Sequence, residues 1–301
     1  LDTQLLKEKQ IIRQELKEDK DDHEGQGIEF IFKKNFNQAY GHPVGGSASQ
    51  VLKYKRKDIE KYYKKYFASE RTSLVVVSGN KDFDGARALQ TWYRKIGVKG
   101  KNKKPYRINK NKKLKKLNHF NLTKKKKIES PILYFSFDGP SMMCSDYMSY
   151  VVLDEILFEG ISSIFFKKMR EETPLVYGFG SSINSFGTEG NYLMIFNSQE
   201  KNFDAIEKIL EDVLKNIVTY GISHDLINSI KLKISDSWSL SFDDLAERAD
   251  YLLENEIYDM NDLTHTRLLK LLNAVNEKSI QKIISNFYFK NKSSRFKILK
   301  E

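Results

Sequence analysis

Ser73-Leu74-Val75-Val76-Val77-Ser78-Gly79 is the stretch on which the fold turns. It is a continuous apolar, β-branched run of the kind found in a strand buried on both faces. Such a strand needs neighbours on both edges, because its backbone N–H and C=O groups have no water to bond. On its N-terminal side the sequence predicts a helix from Lys57 to Phe67, with Ile59, Tyr62, Tyr63 and Tyr66 at helical spacing. On its C-terminal side Asp82 to Ile96 reads as another helix. Further upstream lie an opening helix around Glu8–Glu15 and a second over Gly25–Asn35, then the turn-rich loop Ala39-Tyr40-Gly41-His42-Pro43-Val44-Gly45-Gly46. No second strand is recognisable before Lys99. Four helices and an orphan strand do not close a unit, so the expectation is a first domain incomplete at its N-terminus.

Beyond residue 128 the pattern looks complete. Pro131–Gly139 reads as a strand, and Ser145–Glu172 as helix interrupted near Gly160. Val176–Phe186 and Asn191–Asn197 read as a hairpin across Gly187-Thr188-Glu189-Gly190. Helices follow over Asn202–Tyr220, His224–Ser241, Asp243–Glu254, Asp262–Ala274 and Ser279–Asn286, and Ser294–Leu299 closes with a strand. Strands gathered in one sheet with helices packed on one side make an α+β domain. The strand–helix order around Val75 and around Phe137 is compatible with two diverged copies of one domain.

The net charge of +11 is concentrated. Between Lys99 and Lys127 there are fourteen basic residues and no acidic one, and outside that run acidic residues are in slight excess. With only Tyr106 and Phe120 as aromatics in the run, it reads as a solvated, lysine-rich linker and not as a nucleic-acid module. Electrostatic tethering to an acidic surface or anionic lipid is the competing reading. The domain expectation is therefore residues 1–98, a linker over 99–128 and a second domain over 129–301. No apolar run reaches the roughly eighteen residues of a membrane span, and the opening residues have no n-region followed by an h-region, so no signal peptide is read in them and the expectation is a sequence that starts inside a longer parent. The single cysteine, Cys144, excludes an internal disulfide, reads as a small packed hydrophobe, and fits a reducing, cytoplasmic compartment.

Two clusters carry chemistry. Glu8 and Glu15 sit seven residues apart on the first helix and, at about 3.6 residues per turn, share one face. Leu5, Ile11, Ile12 and Leu16 supply an apolar stripe beside them, so either a solvated pair or an inward-facing metal ligand is compatible with the pattern. Arg170-Glu171-Glu172-Thr173-Pro174-Leu175-Val176-Tyr177 closes a helix with an arginine and opens a strand with a tyrosine. A guanidinium and a phenol at one sheet edge can both donate to a developing oxyanion; the plain alternative is an arginine complementing a helix C-terminus. None of the five histidines, His23, His42, His119, His224 and His265, has a second histidine three or four residues away, and all read as ordinary surface or loop residues. No H-x-x-E-H, H-E-x-x-H or C-x-x-C occurs, so no local motif completes a zinc site.

In order and spacing these residues resemble the pitrilysin/insulinase family of zinc peptidases, in its two-domain, processing-peptidase-like branch. Glu8-x-x-Ile11-Ile12-x-x-Glu15 is similar to the helix that follows the family's H-x-x-E-H motif and supplies the third ligand. Tyr40–Gly46, the segments Asp58–Tyr66 and Leu74–Asp82, Phe158–Ser163 and Met169–Tyr177 are similar to later family stretches, the last ending in R-E-x-x-G-L-x-Y. The resemblance implies two homologous α/β-sandwich-like domains. It assigns Glu15 as a zinc ligand, Glu8 as the carboxylate that orients the site, and Arg170 and Tyr177 as groups polarising the scissile carbonyl. It also implies a peptide or unfolded polypeptide substrate, bound as an extended strand inside a closed chamber.

Two departures qualify this. The histidines and the glutamate base lie before the first matched residue, so zinc is expected only with ligands from elsewhere, and this chain alone is expected to be inactive. Pro174 stands where the family has glycine, which stiffens the approach to Tyr177. Two readings stay open at this point: part of a zinc endopeptidase, completed by an N-terminal fragment or a catalytic partner subunit in a homo- or heterodimer, and a catalytically inactive partner or scaffold.

Overall fold

The computed structural model describes residues 2–19, 21–36, 40–67, 71–96, 117–141, 144–187, 189–258, 265–289 and 293–301. The chain is helix-rich α+β, as the sequence predicts, with one open sheet. It folds into two compact units, each assembled from segments that are not contiguous in sequence.

The first unit comprises the described residues of Leu1–Arg13, Ala48–Asn109 and Leu232–Leu269. It is helical: most of α1 (Asp2–Glu18), α3 (Ala48–Lys53), α4 (Arg56–Tyr66), α5 (Gly85–Ile96), the end of α9 (His224–Ser241), α10 (Leu245–Ile257) and the start of α11 (His265–Ala274). Lys9 Nζ donates to the Leu52 carbonyl at 3.0 Å, satisfying an orphan group at the end of α3. The run 73–79 corrects the sequence reading. It forms no strand; Leu74, Val75 and Val77 are half-buried and Val76 is 40% exposed. Among the described residues no strand lies beside it, and an extended segment without ladder partners has nothing to exchange for its hydration.

The second unit comprises the described residues of Gln14–Ser47, Lys110–Lys231 and Lys270–Glu301. Its sheet is built from β1 (Asn121–Lys126), β2 (Ile132–Asp138), β3 (Val176–Ser185), β4 (Gly190–Ser198) and β5 (Ser293–Lys300), in the order β1-β5-β2-β4-β3. Only the β1–β5 pair is parallel. β1 lies inside the lysine-rich 99–128 segment, most of which is outside the described residues, and sequence reading missed it. Asn-Leu-Thr-Lys-Lys-Lys has no apolar alternation because an outermost strand exposed on both faces requires none, and lysines there discourage pairing with other chains.

β2 and β4 are buried almost throughout, so both faces of the sheet must be covered. On one face Leu133, Phe137, Tyr192 and Phe196 meet α6 (Tyr147–Phe158), α8 (Phe203–Tyr220) and α12 (Glu277–Phe287), with Phe137 and Phe287 ring centroids 5.0 Å apart. The other face is not open, as a one-sided arrangement would leave it. Helix α2 (His23–Asn35) lies across it, inserting Ile31 among Ile132, Tyr134, Leu193, Ile195, Phe296 and Ile298. Gly27 makes that approach possible, since a Cβ there would stand 2.2 Å from the Tyr134 hydroxyl. That hydroxyl donates to the Glu24 carbonyl at 3.1 Å, and burial, reinforced by the nearby Glu24 and Asp22 carboxylates, pushes the phenol pKa far above its ordinary value.

The C-terminal end of α2 is tied down by Asn35, which is 1% exposed. Its Nδ2 donates to the Asn118 carbonyl at 2.9 Å and to Ser294 Oγ at 2.7 Å. Its Oδ1 accepts from Ser136 Oγ at 2.8 Å, and Ser136 Oγ in turn accepts from Asn191 Nδ2 at 3.0 Å. His119 belongs to the same region: its Nε2 is 3.1 Å from Asp138 Oδ1 and its Nδ1 is 3.4 Å from Ser294 Oγ. This corrects its reading as an ordinary surface histidine.

Candidate functional site

The segment from Ile164 to Tyr177 is more elaborate than a helix end followed by a strand. Ser163 Oγ caps α7 (Ile164–Phe166) by accepting from the Phe166 N–H at 3.4 Å, and the helix continues into a π-helical turn over Lys167–Glu171. The wider turn is closed by Glu172 N–H donating to the Lys167 carbonyl at 2.8 Å, five residues back. It turns Met169 fully inward and leaves Arg170 exposed, with its guanidinium 5.5 Å from the centre of the Phe166 ring.

The connection from Arg170 to Tyr177 is pinned. Leu175 N–H donates to the Met169 carbonyl at 3.0 Å, and Thr173 Oγ1 donates to the Lys168 carbonyl. The Leu175 carbonyl accepts from Ser198 Oγ and, at 3.1 Å, from Asn202 Nδ2. Pro174 stiffens the middle. Tyr177 is the extra residue of a β-bulge, since Val176 pairs with Ser198 and Gly178 already pairs with Asn197. The bulge directs Tyr177 outward, 61% exposed, where its hydroxyl oxygen accepts from Gln199 Nε2 at 2.8 Å. Arg170 and Tyr177 thus stand at the two ends of one braced link, both open to solvent. The bracing residues Ser198, Gln199 and Asn202 carry no motif; only the hairpin register brings them beside the link.

Glu8 and Glu15 lie on α1 as the spacing predicts, and both side chains are exposed. Leu5, Ile12 and Leu16 form the half-buried stripe, while Ile11 is exposed. Glu8 belongs to the first compact unit, whereas Glu15, Arg170 and Tyr177 belong to the second. Among the described residues no group of three histidine, cysteine, aspartate or glutamate side chains is arranged to hold a metal ion. A zinc centre needs three protein ligands. One exposed carboxylate does not fit that requirement, so these residues do not hold zinc by themselves.

The clefts among the described residues include these two. One of about 650 Å³ lies at the start of α2, lined by Asp21, His23, Glu24, Lys127, Asn197 and Lys300 among others; the second, of about 430 Å³, runs along α5 past Phe83, Arg87 and Trp92. Neither is lined by Glu8, Glu15, Arg170 or Tyr177. Asp154 and Cys144 are among the groups outside the link whose titration is perturbed. Burial raises the Asp154 carboxyl pKa although Ser181 and Tyr192 hydroxyls donate to it at 2.5 and 2.8 Å. Burial also pushes the Cys144 thiol up, as befits a packed and unreactive cysteine.

The chain is 21% identical over 280 residues to the uncharacterized zinc protease YmxG of Bacillus subtilis, an alignment covering 91% of this chain and 66% of that protein. It spans about two thirds of that relative's length. Among solved structures, the peptidase M16 inactive domain of Pseudomonas fluorescens superposes with a TM-score of 0.84 at 14% identity, covering 99% of this chain and 70% of that one. A putative M16-like peptidase of Alicyclobacillus acidocaldarius superposes with a TM-score of 0.78 at 16% identity, covering 100% and 71%. These likenesses establish the fold. No described helix is long and apolar enough to cross a membrane. The family model described as Peptidase M16 inactive domain matches residues 53–234, more than half of the sequence, and the chain therefore belongs to the M16, pitrilysin-type peptidase family.

Proposed function

We propose that this chain is part of a zinc metalloendopeptidase acting on peptides or extended polypeptide segments. In this reading Arg170 and Tyr177 contact the scissile carbonyl, Glu15 supplies one zinc ligand, and Glu8 orients the site. The remaining ligands and the glutamate base come from outside these 301 residues, in the same gene product or in a partner chain. Zinc, when held, supplies Lewis acidity. This chain's own contribution is two donors carried on a braced backbone, a planar guanidinium and a phenol, for charge that develops on the carbonyl oxygen.

The braced link carries the proposal. Two exposed polar side chains would ordinarily lose much of their donor strength to rotational freedom; here the backbone between them is pinned, at the Arg170 end by the Leu175 N–H and Thr173 hydroxyl and at the Tyr177 end by Ser198 and Asn202. β3 is the outermost strand of its sheet, with no partner on its outer edge among the described residues, so it offers an edge to which an extended substrate adds. The division into domains 1–98 and 129–301 and the placement in a reducing, cytoplasmic compartment belong to the same proposal.

The family model's description as an inactive domain favours a second reading, in which the chain is a non-catalytic partner subunit or scaffold. The full-length gene product separates the two by metal analysis and peptide hydrolysis. A zinc endopeptidase carries about one zinc per site; Glu15→Gln lowers its zinc content, and Arg170→Ala lowers turnover with zinc retained. Equal zinc in both variants excludes Glu15 as a ligand, and a full-length protein without zinc or turnover is the partner subunit.

A further inference from the structure

We infer that Gln199 is a positioning residue for Tyr177: it occupies the acceptor side of the phenol oxygen, leaving the O–H free to point at substrate. The inference rests on the role proposed above for Tyr177 and adds a residue to it.

A phenol oxygen both accepts and donates. A tyrosine that is 61% exposed divides both capacities among waters, and its ring samples several rotamers. At Tyr177 the acceptor capacity is taken by the Gln199 side-chain amide at 2.8 Å, its one hydrogen bond among the described residues. An amide N–H cannot accept, so the phenol proton is directed away from Gln199. The bulge makes this tether necessary, because Tyr177 falls between Val176 and Gly178, which take the paired positions opposite Ser198 and Asn197.

Gln199 is also held where a tether must be. It directly follows Ser198, whose hydroxyl donates to the Leu175 carbonyl, and its own carbonyl accepts from Asn202 N–H at 3.0 Å. Asn202 Nδ2 donates to that same Leu175 carbonyl. Leu175 is in turn bonded to Met169, next to Arg170. One short segment, Ser198 to Asn202, therefore fixes the backbone approaching Tyr177 and the phenol itself.

The test uses the full-length gene product with a peptide substrate. Gln199→Ala is expected to lower kcat about three- to tenfold, the effect of one hydrogen bond, with KM changed less than about twofold. In a Tyr177→Phe background the same substitution is expected to change nothing further. Gln199→Glu, which when ionised accepts the phenol proton, is expected to be at least as slow as Gln199→Ala. Thermal unfolding should be unaltered, since Gln199 is exposed. The tyrosine Raman doublet near 830 and 850 cm⁻¹, whose ratio distinguishes an accepting from a donating phenol, gives a readout independent of turnover, with Tyr177 isolated by difference against Tyr177→Phe. Losses that multiply in the double variant, a doublet unmoved by Gln199→Ala, or wild-type turnover in Gln199→Ala beside a slow Tyr177→Phe each overturn the inference alone. Wild-type turnover in Tyr177→Phe, or no hydrolysis by the full-length protein, overturns the role of Tyr177 and this inference with it.

Discussion

Asn35 Nδ2 lies 2.7 Å from Ser294 Oγ, joining residues 259 apart in sequence at a point with almost no solvent access. The same amide also serves Asn118 and Ser136, so one side chain satisfies polar groups from three other parts of the chain. Asn35→Ala strands those groups in a buried site. It is expected to lower stability by about 2–4 kcal/mol, measured by urea unfolding. A loss below about 1 kcal/mol would mean that water takes the place of the amide.

Gly27 and Tyr134 should show coupled effects. Gly27→Ala forces a methyl group to within 2.2 Å of the Tyr134 hydroxyl and 2.3 Å of its ring carbon, and overpacking of this kind costs about 1–3 kcal/mol. Tyr134→Leu alone opens a cavity and destabilises as well. In combination the two are expected to cost less than the sum of the separate losses, because the leucine makes room for the methyl group. Additive losses in the double-mutant cycle would contradict the close packing of α2 on β2.

Asp154 sets a pH dependence with a definite sign. Burial raises its folded pKa above the ordinary 3.8, against the opposing donation from Ser181 and Tyr192 and with help from Glu159 and Glu155. Between 3.8 and the raised folded value the native chain holds a proton that the unfolded chain has released. This contribution to stability is therefore present at low pH and lost as pH rises through the folded pKa. Asp154→Asn should remove that decline and leave the variant the more stable form at neutral pH, as read from unfolding midpoints across the acid range. A steeper decline in the variant would refute the assignment.

Arg170 should not tolerate lysine if its planar fork matters. In the full-length gene product Arg170→Ala is expected to reduce kcat by about 10²-fold, as for removal of one oxyanion donor, and Arg170→Lys to recover little of it. Binding of zinc, measured by metal analysis, should be unchanged in both variants. Full recovery with lysine would reduce the role of Arg170 to its charge.

Much of the second unit was legible because its apolar runs are long and bounded by turns: Ile132–Phe137, Tyr192–Phe196 and the amphipathic α8 and α12 all fall where periodicity puts them. The Val75–Val77 run shows the limit of that method. Local composition announces a strand, but strand formation is a property of a pair, and no described strand lies beside it. The reverse failure occurs at Asn121–Lys126, where three consecutive lysines conceal an edge strand that β5 holds by its backbone.

The candidate site was legible only in part. Arg170 and Tyr177 could be singled out because a helix end and a strand start are visible in sequence, and α1 carries Glu8 and Glu15 at the predicted spacing. The π-helical turn was not read from the sequence, and the bulge and the brace from Ser198, Gln199 and Asn202 could not be, since both depend on which residue of β4 stands opposite Val176. A register is decided by two strands together, and neither strand alone specifies it.

Helix α2 precedes the first strand it covers, β2, by roughly a hundred residues and the last, β5, by far more, yet Ile31, Gly27 and Asn35 seat it against them. Peptide-bond continuity between α2 and β1 is thus not what keeps them together. A protease that nicks the lysine-rich stretch should yield two fragments on a denaturing gel that still elute as one species from a sizing column, and two separately expressed pieces should find each other in the cell.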